Sequence, residues 1–139
     1  MLRSEDSSAQ GLKHIRKEMI MNLQEALTQE FDVIKKRREQ PQEGSYTSYL
    51  FGKGIDKILK KIGEEATEVI IAAKDNKKDE VIGEVCDVLF HTEVMMCELG
   101  ISWDDIADEL TRRREKENMN IEKEAKRKAE NRTDETVIN

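Results

Sequence analysis

The chain has 139 residues, a formal net charge of -6, and 39% charged against 37% hydrophobic residues. That length suits a single domain, and a composition with one proline and 4% aromatic residues favours long amphipathic helices over a sandwich or barrel. The negative charge excludes an overall basic field for nucleic acid, and no apolar run approaches the roughly 20 residues that span a bilayer. Because the first ten residues also lack the apolar segment of a secretory signal, we expect a cytoplasmic protein without nucleic-acid or membrane partners.

The N-terminal third of the sequence predicts one long helix behind a polar extension. Residues 1–18 are polar and mixed in charge, so we expect a flexible N-terminal extension there. Leu23, Leu27 and Phe31 recur at the spacing of one helix face, which predicts a helix over about residues 19–38. The segment EQPQEG then ends this helix, because proline and glycine both interrupt regular structure.

The remaining sequence predicts three further helices and a charged tail. The run SYTSYLFGKG contains two glycines and predicts a loop or a short helical turn. Helices are expected over about residues 55–74 and 79–99, with Gly100 ending the second, and another begins at Ser102. Residues 117–139 hold mixed charges and few large apolar side chains, which favours a mobile tail over a solvated helix.

Four helices from so short a chain leave the first helix and the outer faces weakly covered. Pairing of two copies would bury Leu23, Leu27 and Phe31. We therefore predict an all-α, four- to five-helix bundle in residues 19–116 that homodimerisation completes.

Acidic side chains fall on the apolar faces of the second and third predicted long helices. At 100° per residue, Glu65 lies on the stripe formed by Ile62 and Val69, with Glu68 on its flank. On the next helix, Glu84, Asp87 and His91 share a stripe with core residues. These residues form two pairs of acids, each with a spacing of three, on consecutive helices.

Helices joined by a short connection pack antiparallel, so the two acidic pairs should converge. Buried carboxylates are costly without compensation, and Lys61 alone cannot neutralise four of them. A single acid on an apolar stripe is more often a boundary residue paired with lysine, but two pairs favour a Mg²⁺ site with oxygen ligands. His91 is better explained as a hydrogen-bonded core histidine, because Mg²⁺ prefers oxygen.

These acids lie in motifs that resemble a known group of enzymes. The segments GEEATE and EVCD resemble the E-E-x-x-E … E-x-x-D signature of the all-α NTP pyrophosphohydrolases, the MazG-like superfamily. More specifically, SYTSYLFGKGIDKILKKIGEEATEVIIAAK with DVLFH resembles the phosphoribosyl-ATP pyrophosphohydrolases of histidine biosynthesis, over about residues 21–113. The resemblance implies Mg²⁺-dependent hydrolysis of phosphoribosyl-ATP to phosphoribosyl-AMP and pyrophosphate by a helical homodimer.

The resemblance also implies roles for particular acids. It places metal ligands at Glu65, Glu68, Glu84 and Asp87. Glu64 matches the first acid of the motif and would help bind a second metal or orient the attacking water, so Glu64 and Glu65 are the candidate catalytic residues. The expected reaction is attack of metal-activated water at the α-β phosphoanhydride, with a carboxylate taking the proton.

Five residues that precede the acids match family positions and are candidate substrate contacts: Ser45, Tyr46, Thr47, Lys57 and Lys61. The two lysines are expected to contact phosphate, although an ion pair with Glu65 or Glu68 explains Lys61 equally well. The Ser-Tyr-Thr segment could contact ribose or phosphate, or could instead cap a helix and anchor the core.

Three other functions fit the same residues. A house-cleaning pyrophosphohydrolase of free or damaged (d)NTPs would release pyrophosphate from the same metal site. A carboxylate bundle could store metal, although di-iron bundles carry Glu-x-x-His pairs, whereas His91 follows Asp87 by four residues. A purely structural helix-pairing module predicts that Glu65→Leu stabilises the fold.

Some family members are fused to phosphoribosyl-AMP cyclohydrolase, but no zinc-type Cys/His set for that activity is present in this sequence.

Overall fold

A computed structural model describes residues 21–135, with side chains up to residue 132. Over this range the chain forms five helices and no strand, which confirms the all-α prediction; the expected extension over residues 1–18 lies outside the described residues. The helices are α1 (Leu23–Glu39), α2 (Tyr46–Lys53), α3 (Ile55–Lys74), α4 (Lys78–Leu99) and α5 (Trp103–Glu135).

Helix α1 is fixed at both ends by side-chain hydrogen bonds. At its start, the Glu25 amide donates to the Asn22 side chain at 2.9 Å, and the Asn22 amide donates to the Glu25 carboxylate at 3.3 Å. This reciprocal capping box satisfies two amides that have no partner within the helix. At the other end, the Arg38 guanidinium donates to the Cys97 carbonyl and lies 3.7 Å from the Glu98 carboxylate. The end of α1 is therefore held against the end of α4.

The segment expected to be a loop or a short turn is the eight-residue helix α2. Ser45 caps it by accepting a hydrogen bond from the Ser48 amide at 3.2 Å, while Thr47 and Leu50 are buried. The cap and this buried face offset the low helix propensity of the segment. Gly54, with φ +89° and ψ -179°, then separates α2 from α3 in a conformation that essentially only glycine adopts.

Helices α3 and α4 form the principal helix pair of the first hundred residues. A three-residue connection joins them, and the short connection gives an antiparallel pair, as predicted. Asn76 in this connection has a positive φ of 55°, which asparagine tolerates better than most residues. Ile58 of α3 and Val94 of α4 are fully buried, together with Ile34 from α1 and Leu50 from α2. The core therefore draws on all four helices.

Helix α5 belongs to a second compact unit that begins at Ile101. It starts with the predicted capping box, in which the Ser102 amide donates to Asp105 at 2.7 Å and the Asp105 amide donates to the Ser102 hydroxyl at 3.2 Å. The helix continues to Glu135, so residues 117–135 of the segment expected to be a mobile tail adopt the alternative considered for it, a solvated helix. Its side chains from 111 to 132 are exposed. The division of the chain at residue 116 stays a prediction.

None of the helices between residues 21 and 135 combines the length and apolar character that a bilayer-spanning helix needs.

Candidate active site

Three carboxylates from two helices converge on one point. Glu65 of α3 and Glu84 and Asp87 of α4 each bring one oxygen to within 4.8 Å of the others. Glu65 is buried, Glu84 is half-buried and Asp87 is exposed, so the cluster runs from the helix interface to the surface. The arrangement follows from the sequence, because residues three apart on α4 share a side and that side meets the apolar stripe of α3.

Glu84 is the acid of this cluster whose ionised form is disfavoured. Burial, followed by hydrogen bonds and repulsion from Glu68 and Glu65, raises the pKa of Glu84 from 4.5 to about 7. Its Oε2 atom is buried and has no hydrogen-bond partner among the described residues. A buried acceptor without a donor, set among other carboxylate oxygens, fits the requirements of a hard divalent cation. These acids are therefore suited to hold a divalent cation.

Lys61 forms the ion pair that was one of the two alternatives for it. Its ammonium group lies 2.9 Å from a Glu65 oxygen and 3.2 Å from a Glu64 oxygen. Hydrogen bonding to Lys61 is the main reason that the pKa values of both glutamates are lowered, and hydrogen bonding to Glu65 chiefly raises the pKa of Lys61. Glu65 is therefore ionised while Glu84 holds the proton of the cluster at mildly acidic pH.

Glu68 and Glu64 lie at the edges of the cluster. Glu68 is exposed and outside the group of three, yet it lies close enough to Glu65 and Glu84 to contribute to the shifts of their pKa values. Glu64 is exposed and pairs with Lys60 at 3.6 Å as well as with Lys61. All five predicted acids are therefore brought to one region of the α3–α4 pair.

A buried histidine connects the acidic cluster to α2. His91 is 3% exposed; its Nδ1 lies 2.7 Å from the Asp87 carbonyl oxygen, and its Nε2 lies 3.1 Å from the Tyr46 hydroxyl. A carbonyl can only accept, so Nδ1 carries the proton and donates to it. In the neutral ring Nε2 is then the acceptor, and Tyr46 donates to it. The prediction of a hydrogen-bonded core histidine is confirmed.

The other candidate substrate contacts occupy distinct positions. Ser45 is half-buried and caps α2, whereas Thr47 is 9% exposed and belongs to the core, so both have the structural roles that were considered for them. Lys57 is half-buried on α3, and its charge contributes to the lowered pKa of Glu64. Contact of these residues with substrate stays a prediction.

Two features of this region had not been anticipated. The bond between Tyr46 and His91 joins residues 45 positions apart, and no spacing rule within one helix indicates such a pair. Glu93 of α4 is 0% exposed, although it lies on the side of the helix away from Glu84. The signal available for it was the apolar run over residues 94–97 that follows it, which indicates burial of this part of the helix.

The fold and the cluster together define an all-α protein with a carboxylate cluster, a candidate metal site, at the interface of two antiparallel helices. Comparison with known proteins identifies the group more closely. The sequence pattern described as phosphoribosyl-ATP pyrophosphohydrolase matches residues 28–114. The chain belongs to this family, as its motifs had indicated.

Curated relatives agree with this family. A phosphoribosyl-ATP pyrophosphatase of Clostridium acetobutylicum is 54% identical over 96 residues, which cover 69% of this chain and 87% of the relative. One from Lactiplantibacillus plantarum is 53% identical over 83 residues, covering 60% of this chain and 78% of the relative. A histidine biosynthesis bifunctional protein of Oceanobacillus iheyensis is 59% identical over 80 residues, covering 58% of this chain and 37% of the relative.

Proposed function

We propose that this chain hydrolyses phosphoribosyl-ATP between its α and β phosphates, giving phosphoribosyl-AMP and pyrophosphate in the cytoplasmic pathway of histidine biosynthesis. The observation that carries the proposal is the convergence of oxygens from Glu65, Glu84 and Asp87 within 4.8 Å. Family membership supports the choice of substrate. The catalytic unit is proposed to be residues 19–116.

The acidic cluster is proposed to hold Mg²⁺ through Glu65, Glu68, Glu84 and Asp87. All four offer carboxylate oxygens, the donors that Mg²⁺ prefers, and Glu84 contributes a buried oxygen that lacks a partner among the described residues. When bound there, Mg²⁺ would neutralise phosphate charge and lower the pKa of a coordinated water. The reaction then needs no covalent nucleophile from the protein.

Glu64 is proposed to orient the attacking water. Its carboxylate is exposed next to the cluster, and Lys61 keeps its pKa low, so it is ionised at neutral pH. An ionised carboxylate at this position accepts a hydrogen bond from water. Its low basicity suits a role in orientation more than in strong proton abstraction, because a general base works best with a pKa near the working pH.

Cationic groups beside the cluster are proposed to bind the phosphates. The chain as a whole is negative, so attraction of a polyanion must come from local charges. Lys57 and Lys61 lie on α3 ahead of Glu64 and act electrostatically on it, which places positive charge next to the carboxylates. Tyr46, with its ring 46% exposed, offers a further contact for the ribose or phosphate end of the substrate.

The assay that tests this function measures pyrophosphate release and the nucleotide product from phosphoribosyl-ATP, beside a panel of free NTPs and dNTPs. We expect phosphoribosyl-ATP to be turned over with the highest kcat/KM, and phosphoribosyl-AMP to be formed in equal amount to pyrophosphate. Higher kcat/KM for any free nucleotide would instead support the house-cleaning function. Release of single phosphates would exclude cleavage between the α and β phosphates.

We also propose that two copies of the chain pair through α3 and α4. Ile70 and Ile82 are 69% and 63% exposed, which is unusual for large apolar side chains on the two central helices. Phe31, which had been expected at the interface, is only 8% exposed within one chain and is not available. A second copy that covers the α3–α4 face removes this apolar surface from water.

Sedimentation velocity at micromolar concentration is expected to give about twice the chain mass of 16.1 kDa. Ile70→Asp should shift the protein toward monomer, because it places a charge in the proposed interface. Leu23→Asp is the matched comparison for the interface first expected on α1, since Leu23 is also 69% exposed. A monomeric wild type, or dissociation caused by the Leu23 variant alone, would contradict this interface.

A further inference from the structure

A single chain of hydrogen bonds runs from α2 to the backbone of a proposed metal ligand. The Tyr46 hydroxyl donates to His91 Nε2 at 3.1 Å, and His91 Nδ1 donates to the Asp87 carbonyl at 2.7 Å. His91 is 3% exposed, so its ring is shielded from bulk water. The ring thus bridges the first residue of α2 and the turn of α4 that carries Asp87.

The histidine also fixes the plane of the Tyr46 ring. The two rings meet edge to face, with centroids 5.8 Å apart and an interplanar angle of 85°. Tyr49 and Phe90 stack on Tyr46 with centroids at 5.9 and 6.1 Å. These contacts hold a side chain that is 46% exposed, whereas exposed side chains usually move among several rotamers.

Tyr46 lies in the electrostatic field of the acidic cluster. Burial is the main cause of its raised pKa; Lys61 then lowers the pKa, and Glu65 and Glu64 raise it. The phenol is therefore close enough to the Lys61–Glu65 ion pair to interact with it. A half-exposed polar ring beside a catalytic centre is placed to contact a ligand bound there.

We infer that His91 is a positioning residue, which holds the Tyr46 side chain and the first turn of α2 in place for substrate binding beside the acidic cluster. This inference rests on the proposed function, because it assigns Tyr46 to the substrate side of the same site. His91 itself is buried and contacts no substrate. It acts through the bond that it accepts from Tyr46, while its bond to Asp87 sets the tautomer that makes this acceptance possible.

Two substitutions of His91 separate its hydrogen bonds. The side-chain amide of asparagine reaches the position of Nδ1, so His91→Asn keeps a donor for the Asp87 carbonyl and loses the acceptor for Tyr46. The longer amide of glutamine reaches the position of Nε2, so His91→Gln keeps an acceptor for Tyr46. Tyr46→Phe removes the same bond from the other side. Tyr49→Phe is the matched control, because it removes a hydroxyl from the ring that stacks on Tyr46.

The test compares KM and kcat for phosphoribosyl-ATP across these variants. We expect Tyr46→Phe and His91→Asn each to raise KM roughly 3- to 10-fold with little change in kcat, the size of effect of one lost neutral hydrogen bond. The double variant should be no worse than either single variant, because both remove one interaction. His91→Gln and Tyr49→Phe should keep KM near the wild-type value.

A purely structural role predicts a lower Tm for His91→Asn with KM unchanged, and that result, or additive effects in the double variant, would overturn the inference. Inactive wild-type protein would instead refute the proposed function, and the inference with it. A second measurement does not depend on turnover: ¹⁵N NMR of the His91 ring should show a proton on Nδ1, and Tyr46→Phe should shift the Nε2 signal. A proton on Nε2 in the wild type would contradict the bond from Tyr46.

Discussion

Replacing Glu84 by glutamine is expected to lower kcat/KM for phosphoribosyl-ATP by at least about 100-fold, more than is usual for residues that only support metal ligands. The substitution keeps the shape of the side chain but removes the charge of the acid in the cluster whose buried Oε2 has no hydrogen-bond partner among the described residues. Binding of Mg²⁺, measured by calorimetry, should weaken in parallel. Loss of activity with Mg²⁺ affinity unchanged would show that Glu84 acts in another way.

Glu80→Gln is the matched control for this experiment. Glu80 lies one turn earlier on the same helix, is exposed, and pairs with Lys77 at 3.3 Å. The same change of charge on the same helix should therefore leave kcat/KM within about twofold of the wild type, since exposed pairs contribute little energy. If the two variants lost activity equally, the effect would reflect the general charge of α4 rather than the cluster.

Glu84→Gln also separates catalysis from a structural role of the acids. At pH 8, above the pKa of Glu84, the glutamine removes a carboxylate that is repelled by Glu65 and Glu68. The metal-free variant should therefore unfold at the same Tm as the wild type or at a higher one. Higher stability with activity retained would support a module that only pairs helices, so activity is the deciding measurement.

Removal of divalent metal is expected to reduce turnover to background, a loss of more than about 1000-fold, as for other reactions in which metal activates water. Excess EDTA followed by excess Mg²⁺ provides the experiment and its reversal with one sample. Mg²⁺ should also raise the Tm in a concentration-dependent way, since it binds the folded chain. Turnover that persists in EDTA would contradict the proposed mechanism.

The pH dependence of this metal effect follows from the shifted pKa of Glu84. The pKa rises from 4.5 to about 7 on folding, so between these values the metal-free folded chain binds more protons than the unfolded chain. The contribution of Glu84 to stability therefore falls as pH rises through this window. Mg²⁺ requires the ionised carboxylate, so its affinity and its effect on Tm should increase from pH 5 to pH 8. Glu84→Gln should weaken this pH dependence, whereas Glu80→Gln should leave it unchanged.

The helices could be predicted where hydrophobic spacing is strong. The stripe of α3 and the Gly100 stop after α4 are local features, and both were predicted closely. Helix α2 could not be distinguished from a loop, because its stability comes from Thr47 and Leu50 packing against other helices. The extent of α5 was misjudged, since ion pairs such as Glu109 with Arg112 support a helix without any apolar stripe.

The acidic cluster could be predicted because period and connection length together determine which side chains meet. Glu65 and Glu84 lie on faces that must pack together once the two helices form an antiparallel pair. The contact between Tyr46 and His91 depends on how α2 is oriented relative to α3 across Gly54. This orientation is a property of the tertiary fold. The ion pair of Lys61 remained one of two alternatives for a different reason, because the spacing within α3 permits the pair without requiring it.

The buried oxygen of Glu84 has an evolutionary consequence. Every folded molecule carries the cost of holding this carboxyl group inward, whether or not a cation occupies the cluster. A duplicated copy of the gene that no longer needed to cleave its substrate would become more stable with almost any apolar residue at this position. The acid persists only while selection for the reaction opposes that gain.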